Sequence, residues 1–152
     1  ATFDIDGSFS FSLWVNLDST SGHMDLVKMW DGGQHKFRLI RLNSSYLRFF
    51  TRNADTTEHY IDASTLLSAG QWHHVVCVFE EGVKKTVYVD TSSNSSVSAP
   101  DIVTSQDSTM TLGGSAWLDG NIDEFGFWSR ALTASEVSSL YNGGAGNTYP
   151  GF

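Results

Sequence analysis

The chain predicts an all-β fold, an antiparallel two-sheet sandwich with one short C-terminal helix. Three observations lead there. Short stretches of alternating apolar and polar residues recur along the sequence, separated by clusters of Gly, Ser, Asn and Asp, as expected of strands joined by turns. One segment only, from Thr133 to Tyr141, carries the period and the capping residues of a helix. Aromatic residues reach 13% while charged residues make up 17%, below the roughly 25% of ordinary globular domains, which suits two sheets closing on one apolar layer.

Between Phe9 and Leu17 the odd positions are Phe, Phe, Leu, Val and Leu and the even ones Ser, Ser, Trp and Asn. That is a half-buried strand, with Trp14 the exception on its polar face. Further strands are expected at about 24–30, 36–42, 46–52, 72–79, 83–90, 109–113 and 121–128. Glu80-Glu81-Gly82 reads as a tight hairpin turn and 42–45 as another, while 91–108, rich in Ser and containing Pro100, reads as the longest irregular stretch. In the last strand, strict alternation sets Ile122, Glu124, Gly126 and Trp128 on one face and Asn121, Asp123, Phe125 and Phe127 on the other. Thr133 then caps the helix, with Glu136 three residues on to close a capping box and Leu132 and Val137 placed as a hydrophobic staple. Val137, Leu140 and Tyr141 form the buried side of the helix, and Asn142-Gly143-Gly144 ends it.

A length of 152 residues fits one domain, 1–152, burying roughly two-thirds of its unfolded surface. Cys77, the sole cysteine, lies between Val76 and Val78 and reads as a small core residue. The formal net charge is −8, from 17 acidic and 9 basic side chains. A nucleic acid backbone or an anionic membrane surface is therefore repelled at long range. No apolar run is long enough to span a bilayer and no signal-peptide pattern is present, so neither nucleic acid binding nor membrane insertion is expected. The chain begins at Ala1, close to a strand, and reads as a domain excised from a larger protein. With so much Ser, Thr, Asn and Gly, its expected location is extracellular, on a cell surface or on a virion surface.

Three segments carry a family resemblance. Gly120-Asn-Ile-Asp-Glu124 followed by the short helix, Gln71-Trp-His-His-Val-Val76 followed by Val83-Lys-Lys-Thr-Val-Tyr-Val-Asp90, and Ser8-Phe-Ser-Phe-Ser-Leu-Trp-Val-Asn16 stand in the order found in laminin G-like, concanavalin A-like jelly-roll domains. Together they cover nearly the whole chain. The resemblance implies a jelly-roll sandwich, and it implies binding more readily than catalysis, since the family includes lectins, pentraxins, adhesion modules and carbohydrate-binding appendages of enzymes.

Catalysis finds little support in the sequence. Related glucanases place closely spaced carboxylates on one strand, commonly Glu-x-Asp-x-x-Glu, and no such motif is present. Asp123 and Glu124 are adjacent, so a regular strand sends them to opposite faces. His73 and His74 are divided in the same way, and the other histidines, His23, His35 and His59, are scattered, which speaks against zinc. No Ser stands in a nucleophile-elbow context, and the Gly-rich run 143–146 follows a helix instead of opening one.

Calcium is the expected cofactor, in a structural role. The resemblance to pentraxins places Asp31 near one calcium-binding loop, but the second loop, Gly113 to Asp119, lacks the acidic cluster. The resemblance to concanavalin A-like glucanases and binding modules matches Asp123 to a structural-calcium aspartate, with Asp4 or Asp6 supplying further oxygens; the plain reading is that Asp123 accepts backbone hydrogen bonds. Sugar recognition needs an exposed aromatic beside short polar groups. Trp30, with Asp31 and His35 in the same segment, and Trp117 are the candidates, each at a strand end among Gly and Asp. Trp14, Trp72 and Trp128 lie inside strands and read as core or sheet-covering residues. Asn43-Ser-Ser45 and Asn94-Ser-Ser96 are formal glycosylation sequons.

The sequence reading is thus a non-catalytic, lectin-like module for glycan attachment at a cell or virion surface. The alternative is a protein-binding adhesion or spacer domain of the same fold. A glycosidase or polysaccharide lyase ranks third.

Overall fold

A computed structural model of the chain describes residues 2–5, 7–31, 34–42, 46–52, 57–96, 105–113 and 118–146, with the backbone alone at 2–4, 30, 31, 34, 35, 95, 96 and 105–108. Eleven strands are described: β1 Thr2–Ile5, β2 Phe9–Leu17, β3 Met24–Asp31, β4 Gln34–Arg41, β5 Leu47–Arg52, β6 Glu58–Asp62, β7 Trp72–Glu80, β8 Lys84–Val89, β9 Ser92–Ser96, β10 Ser105–Leu112 and β11 Gly120–Trp128. One helix follows, α1 Ala134–Tyr141, with a 3-10 turn at Asn142–Gly144. A six-stranded sheet runs β1-β10-β3-β4-β5-β6 and a five-stranded sheet runs β11-β2-β7-β8-β9. Every pairing between the described strands is antiparallel. This is the expected jelly-roll sandwich.

Alternation in β2 sends Phe9, Phe11, Leu13, Val15 and Leu17 between the sheets, where all five are buried. Phe9 is a hub of this layer, with ring centroids 5.0 Å from Phe37, 5.4 Å from Phe79 and 6.3 Å from Phe49. Each such ring contributes about 1.5–3 kcal/mol by leaving water. Cys77 is buried in the same layer, as expected, and burial pushes its thiol well up.

Two cations are also fully buried. The Lys85 ammonium on β8 donates to Thr51 Oγ1 on β5 at 3.1 Å, joining the two sheets, and burial pulls it down to about 8. Arg41 donates to the carbonyls of Gly22 and Thr20, holding the connection from β2 to β3 against the end of β4.

Three strands were not expected: β1, β6 and β9. Each is the edge of a sheet. β9 reads Ser-Ser-Asn-Ser-Ser and has no apolar face; its backbone pairs with β8, from Val89 with Ser92 to Lys85 with Ser96. An edge strand of polar residues is a common protection against edge-to-edge association, and it erases the alternation that betrays inner strands. The stretch expected to be irregular, 91–108, therefore holds β9 and the start of β10. Turn chemistry was more legible. Val83 N–H donates to the Glu80 carbonyl at 3.0 Å, closing the expected hairpin between β7 and β8.

α1 lies on the outer face of the five-stranded sheet, where Val137, Leu132, Val76 and Val78 form a second small core with Tyr88, Trp128 and Leu140. Its capping box is present: Thr133 Oγ1 accepts from Glu136 N–H at 3.3 Å, and Glu136 Oε2 accepts from Thr133 N–H at 2.8 Å. The Arg130 guanidinium, together with the Thr133 donors, holds the Glu136 carboxyl down at about 2. Asn142 takes the left-handed conformation that ends the helix and donates its N–H to the Ser138 carbonyl.

Candidate functional site

Strand register assembles the candidate site on the outer face of the five-stranded sheet. Trp14 of β2 lies opposite Asp123 of β11 on one side and His74 of β7 on the other, and Asn16 lies opposite Trp72. Side chains directly opposite one another share a face. Trp14, His74 and Asp123 thus project away from the main core, beside the end of α1. Tyr141 stacks on Trp14 with centroids 5.9 Å apart and planes 14° from parallel, and His74 lies 5.1 Å from Trp14. Beside this stack opens a cleft of about 220 Å³ lined by Trp14, Trp72, Asp123, Glu124, Gly144 and Ala145.

The two indoles differ in role. Trp14 is 8% exposed and forms a floor, whereas Trp72 is 46% exposed and offers its ring to solvent. Trp72 was expected to be a core or sheet-covering residue and is neither, because it is the first residue of β7, where the sheet ends. Trp14 and Trp128 cover the sheet as expected.

Asp123 and Glu124 line the same cleft, which overturns the expectation that they face opposite sides. A bulge between Asp123 and Gly126 is the cause. Glu124 sits at φ 48°, and Asp123 Oδ1 accepts its N–H at 2.7 Å. The extra residue shifts the phase of the strand: Ile122, Phe125 and Phe127 pack on the main core while Trp128 packs outward. Gly146 lies so close that a Cβ there would come within 2.9 Å of Glu124 Oε2.

His74 is 2% exposed, its Nδ1 has no hydrogen-bond partner among the described residues, and burial pulls the imidazole down to about 4. It is neutral at physiological pH. His73 points to the opposite face, as expected. Its Nδ1 lies 2.7 Å from Asp90 Oδ2, and its Nε2 lies 2.8 Å from Ser68 Oγ and accepts Ser68 N–H at 3.1 Å. The order Ser68, His73, Asp90 has the connectivity of a nucleophile, a base and an orienting carboxylate. Here it serves as a latch. Nε2 takes the Ser68 amide as well as its hydroxyl, Asp90 Oδ1 accepts His74 N–H, and the nearby Gly70 amide is committed to the Leu17 carbonyl. The loop before β7 is thereby tied to the turn after β8.

The residues singled out for ligand binding from sequence lie elsewhere. Trp30 and His35 are cross-strand partners at the β3–β4 hairpin, so the backbone does bring that pair together. β2 ends at Leu17 and β3 begins at Met24, so both ends lie at the rim where Trp72 pairs with Asn16. Trp30 and Asp31 are at the far end of β3, toward the opposite rim. Their side chains and that of His35 are outside the described residues, as is all of Trp117. Of the metal set, Asp123 is exposed in β11, the Asp4 backbone belongs to β1 in the other sheet, and Asp6 is outside the described residues. Among the described residues no three His, Cys, Asp or Glu side chains gather as a metal-binding group. The first sequon lies outside the described residues; in the second, Asn94 Oδ1 accepts the Ser64 hydroxyl at 2.9 Å.

The sequence matches the family model described as Concanavalin A-like lectin/glucanases superfamily over residues 1–138, and the chain belongs to that superfamily. A search of curated proteins finds no match. The fold is similar to the binding domain of Paraclostridial Mosquitocidal Protein 1, with a TM-score of 0.72 and 20% identity over 93% of this chain and 38% of that one. It is also similar to the botulinum neurotoxin serotype D ligand binding domain solved in complex with N-acetylneuraminic acid, with a TM-score of 0.72 and 14% identity over 92% of this chain and 37% of that one. The heptameric SAP-like pentraxin from Limulus polyphemus gives a TM-score of 0.72 and 17% identity over 91% of this chain and 71% of that one. The chain thus spans less than two-fifths of the length of the toxin domains. At these identities the likeness is one of fold.

Proposed function

We propose that the chain is a non-catalytic carbohydrate-binding module that attaches a larger protein to extracellular or surface glycans, with the cleft beside Trp72 as its binding site. The observation that carries this reading is the half-exposed Trp72 indole next to two carboxylates in one cleft. A pyranose buries an apolar face on such a ring while its hydroxyls need acceptors. Membership in a superfamily of lectins and glucanases supports it, as does the N-acetylneuraminic acid with which one structural neighbour was solved. Turnover is disfavoured by position. Glycoside hydrolysis needs carboxyl groups that flank the scissile bond, whereas Asp123 and Glu124 are consecutive on one strand, and among the described residues the rest of the lining, Trp14, Trp72, Gly144 and Ala145, adds no acid or base.

Truncation of Trp72 to Ala is expected to weaken glycan binding by about 1–3 kcal/mol and to leave the melting temperature nearly unchanged. Isothermal titration of Trp72→Ala beside Trp30→Ala and Trp117→Ala decides between the two locations. Binding that survives in Trp72→Ala but fails in either of the others moves the site to the loops.

One observation favours a protein partner instead. On the outer face of the six-stranded sheet the Arg48 guanidinium lies 3.8 Å from the centroid of Tyr60, an exposed ring that also contacts Phe50. Exposed Tyr and Arg are the residue types that anchor interfaces. Partner binding lost in Tyr60→Ala and kept in Trp72→Ala would favour that reading.

Calcium is a separate proposal, resting on Asp123 with Asp4 and Asp6. Calcium takes roughly six to eight oxygens, and the described cleft supplies two carboxylates, so the binding reading does not depend on the ion. If Asp123 ligates calcium, Asp123→Ala lowers the melting temperature in calcium and hardly in EDTA, because a ligand of the native state stabilises by mass action. Equal losses in the two buffers assign Asp123 to its hydrogen bond with Glu124 N–H alone.

A further inference from the structure

The Ser68–His73–Asp90 latch stands directly beside the exposed indole on which the binding cleft depends. Trp72 is the first residue of β7, paired with Asn16 of β2, and the stretch from Ser68 to His73 is closed on itself by the His73 side chain. Nε2 of His73 accepts the Ser68 N–H at 3.1 Å and lies 2.8 Å from Ser68 Oγ, while Nδ1 lies 2.7 Å from Asp90 Oδ2. A backbone amide can only donate, so Nε2 is the bare nitrogen and Nδ1 carries the proton that is given to the Asp90 carboxylate. The two arms together fix the Nδ1–H tautomer. Within the closed stretch, Gly70 N–H donates to the carbonyl of Leu17, the last residue of β2, at 2.8 Å. The backbone around Trp72 is therefore fastened on both sides.

The far end of the latch is strained. Asp90 and Thr91 form the two-residue turn between the paired Val89 and Ser92, at φ 49° and 70°, both left-handed. Such hairpins favour Asp or Asn followed by Gly, and a β-branched residue there is an outlier. The turn brings Asp90 back onto β7, where Oδ1 accepts His74 N–H and Asp90 N–H donates to the His74 carbonyl, each at 2.9 Å. Strain of this kind persists where surrounding contacts hold it, and it clusters where a site must keep its shape. Trp72 meanwhile is 46% exposed, and an exposed side chain that must be ordered on binding lowers affinity unless it is ordered beforehand.

We infer that His73 is a positioning residue for the glycan site: as the Nδ1–H tautomer held between Asp90 and Ser68, it fixes the backbone from which the Trp72 indole projects and so presents that ring ready for a sugar. This rests on the reading of the Trp72 cleft as a glycan site. His73 itself touches no ligand, since it points to the opposite face from His74.

The test centres on His73→Asn, whose shorter amide keeps a donor near the Nδ1 position for Asp90 and loses the acceptor that reaches Ser68. In the parent, long-range 15N–1H correlation spectra should show the His73 proton on Nδ1; a proton on Nε2 overturns the latch. In the variant, 15N relaxation should show a lower order parameter for the Trp72 indole N–H and an unchanged one for Trp14. Titrations with lactose, chitotriose and sialyllactose identify probes whose binding falls in Trp72→Ala. For those, His73→Asn should weaken binding about two- to tenfold, and this loss should vanish in the Trp72→Ala background. The melting temperature of His73→Asn reports its folding, and Ser68→Ala, which removes the hydroxyl contact alone, is a milder second variant expected to act in the same direction. Parent-like binding by folded His73→Asn, or an equal loss with and without Trp72, overturns the positioning role and leaves the glycan site standing. Absence of Trp72-dependent binding to all three probes overturns the site instead, and the Trp72 order parameter then decides the latch, a fall upholding it and an unchanged value overturning it.

Discussion

Replacing Gly120 with Ala is expected to destabilise the fold by about 4 kcal/mol or more, a magnitude reserved for a few severe mechanisms. Gly120 opens β11 at φ 146°, and a Cβ there would stand 2.2 Å from the Asn16 carbonyl oxygen and 2.8 Å from Leu17 Cα. Both obstacles are backbone atoms of the neighbouring strand, so no side chain can swing away to make room. Glycine alone reaches this backbone region without strain. Gly143 is the proper control, since at φ 65° an added Cβ meets nothing within 4 Å, and Ala there should cost only on the order of 1 kcal/mol of backbone strain. Urea denaturation of the two variants measures the difference. A Gly120→Ala midpoint as close to the parent as that of Gly143→Ala would mean that β11 does not approach β2 in this way. The functional consequence is direct, because β11 carries Asp123 and Glu124 into the cleft.

The contrast between what was legible in the sequence and what was not follows from where information is stored. β2 could be read residue by residue, because one of its faces meets the main core and alternation is then obligatory. The capping box of α1 was equally plain, since Thr133 and Glu136 satisfy each other's backbone donors locally. Of the missed strands β1, β6 and β9, the last left no signal because Ser92–Ser96 has no apolar residue and is held by backbone pairing on one side, whereas β11, also an edge, was legible through its apolar residues. The cleft was missed for a different reason. Strict alternation does not hold in β11, where a single left-handed residue, Glu124, overturns it. A signal was present: Ile122 and Phe125 are both apolar yet three apart, so they cannot share the inner face unless the strand gains a residue between them. Trp72 was missed because strand membership does not guarantee burial, and its place at the very start of β7 frees its ring.

Acidification is expected to destabilise the domain through His74, by about 3 kcal/mol between pH 6.5 and pH 4. The buried imidazole is held at about 4, where an unfolded chain would show 6.5. Desolvation is the main cause, and the charge of Asp90 opposes it in part. Between those two values the unfolded state binds a proton that the folded state refuses, so the contribution is fully present above pH 6.5 and is lost as pH falls toward 4. About 1.4 kcal/mol accompanies each tenfold change in proton affinity, which sets the size of the loss. His74→Phe keeps an aromatic ring beside Trp14 and Tyr141 and removes the titration, and it also removes Nδ1, which has no partner to lose among the described residues. Stability of the parent minus that of His74→Phe, taken from urea curves at pH 7, 5.5 and 4.5, should fall steadily with pH, since other titrating groups cancel in the difference. Because the folded state takes up this proton only near pH 4, glycan binding by the folded protein should not change through His74 over the same range. A difference that stays flat from pH 7 to 4.5 would show that the folded protein accommodates a charged imidazole at this position.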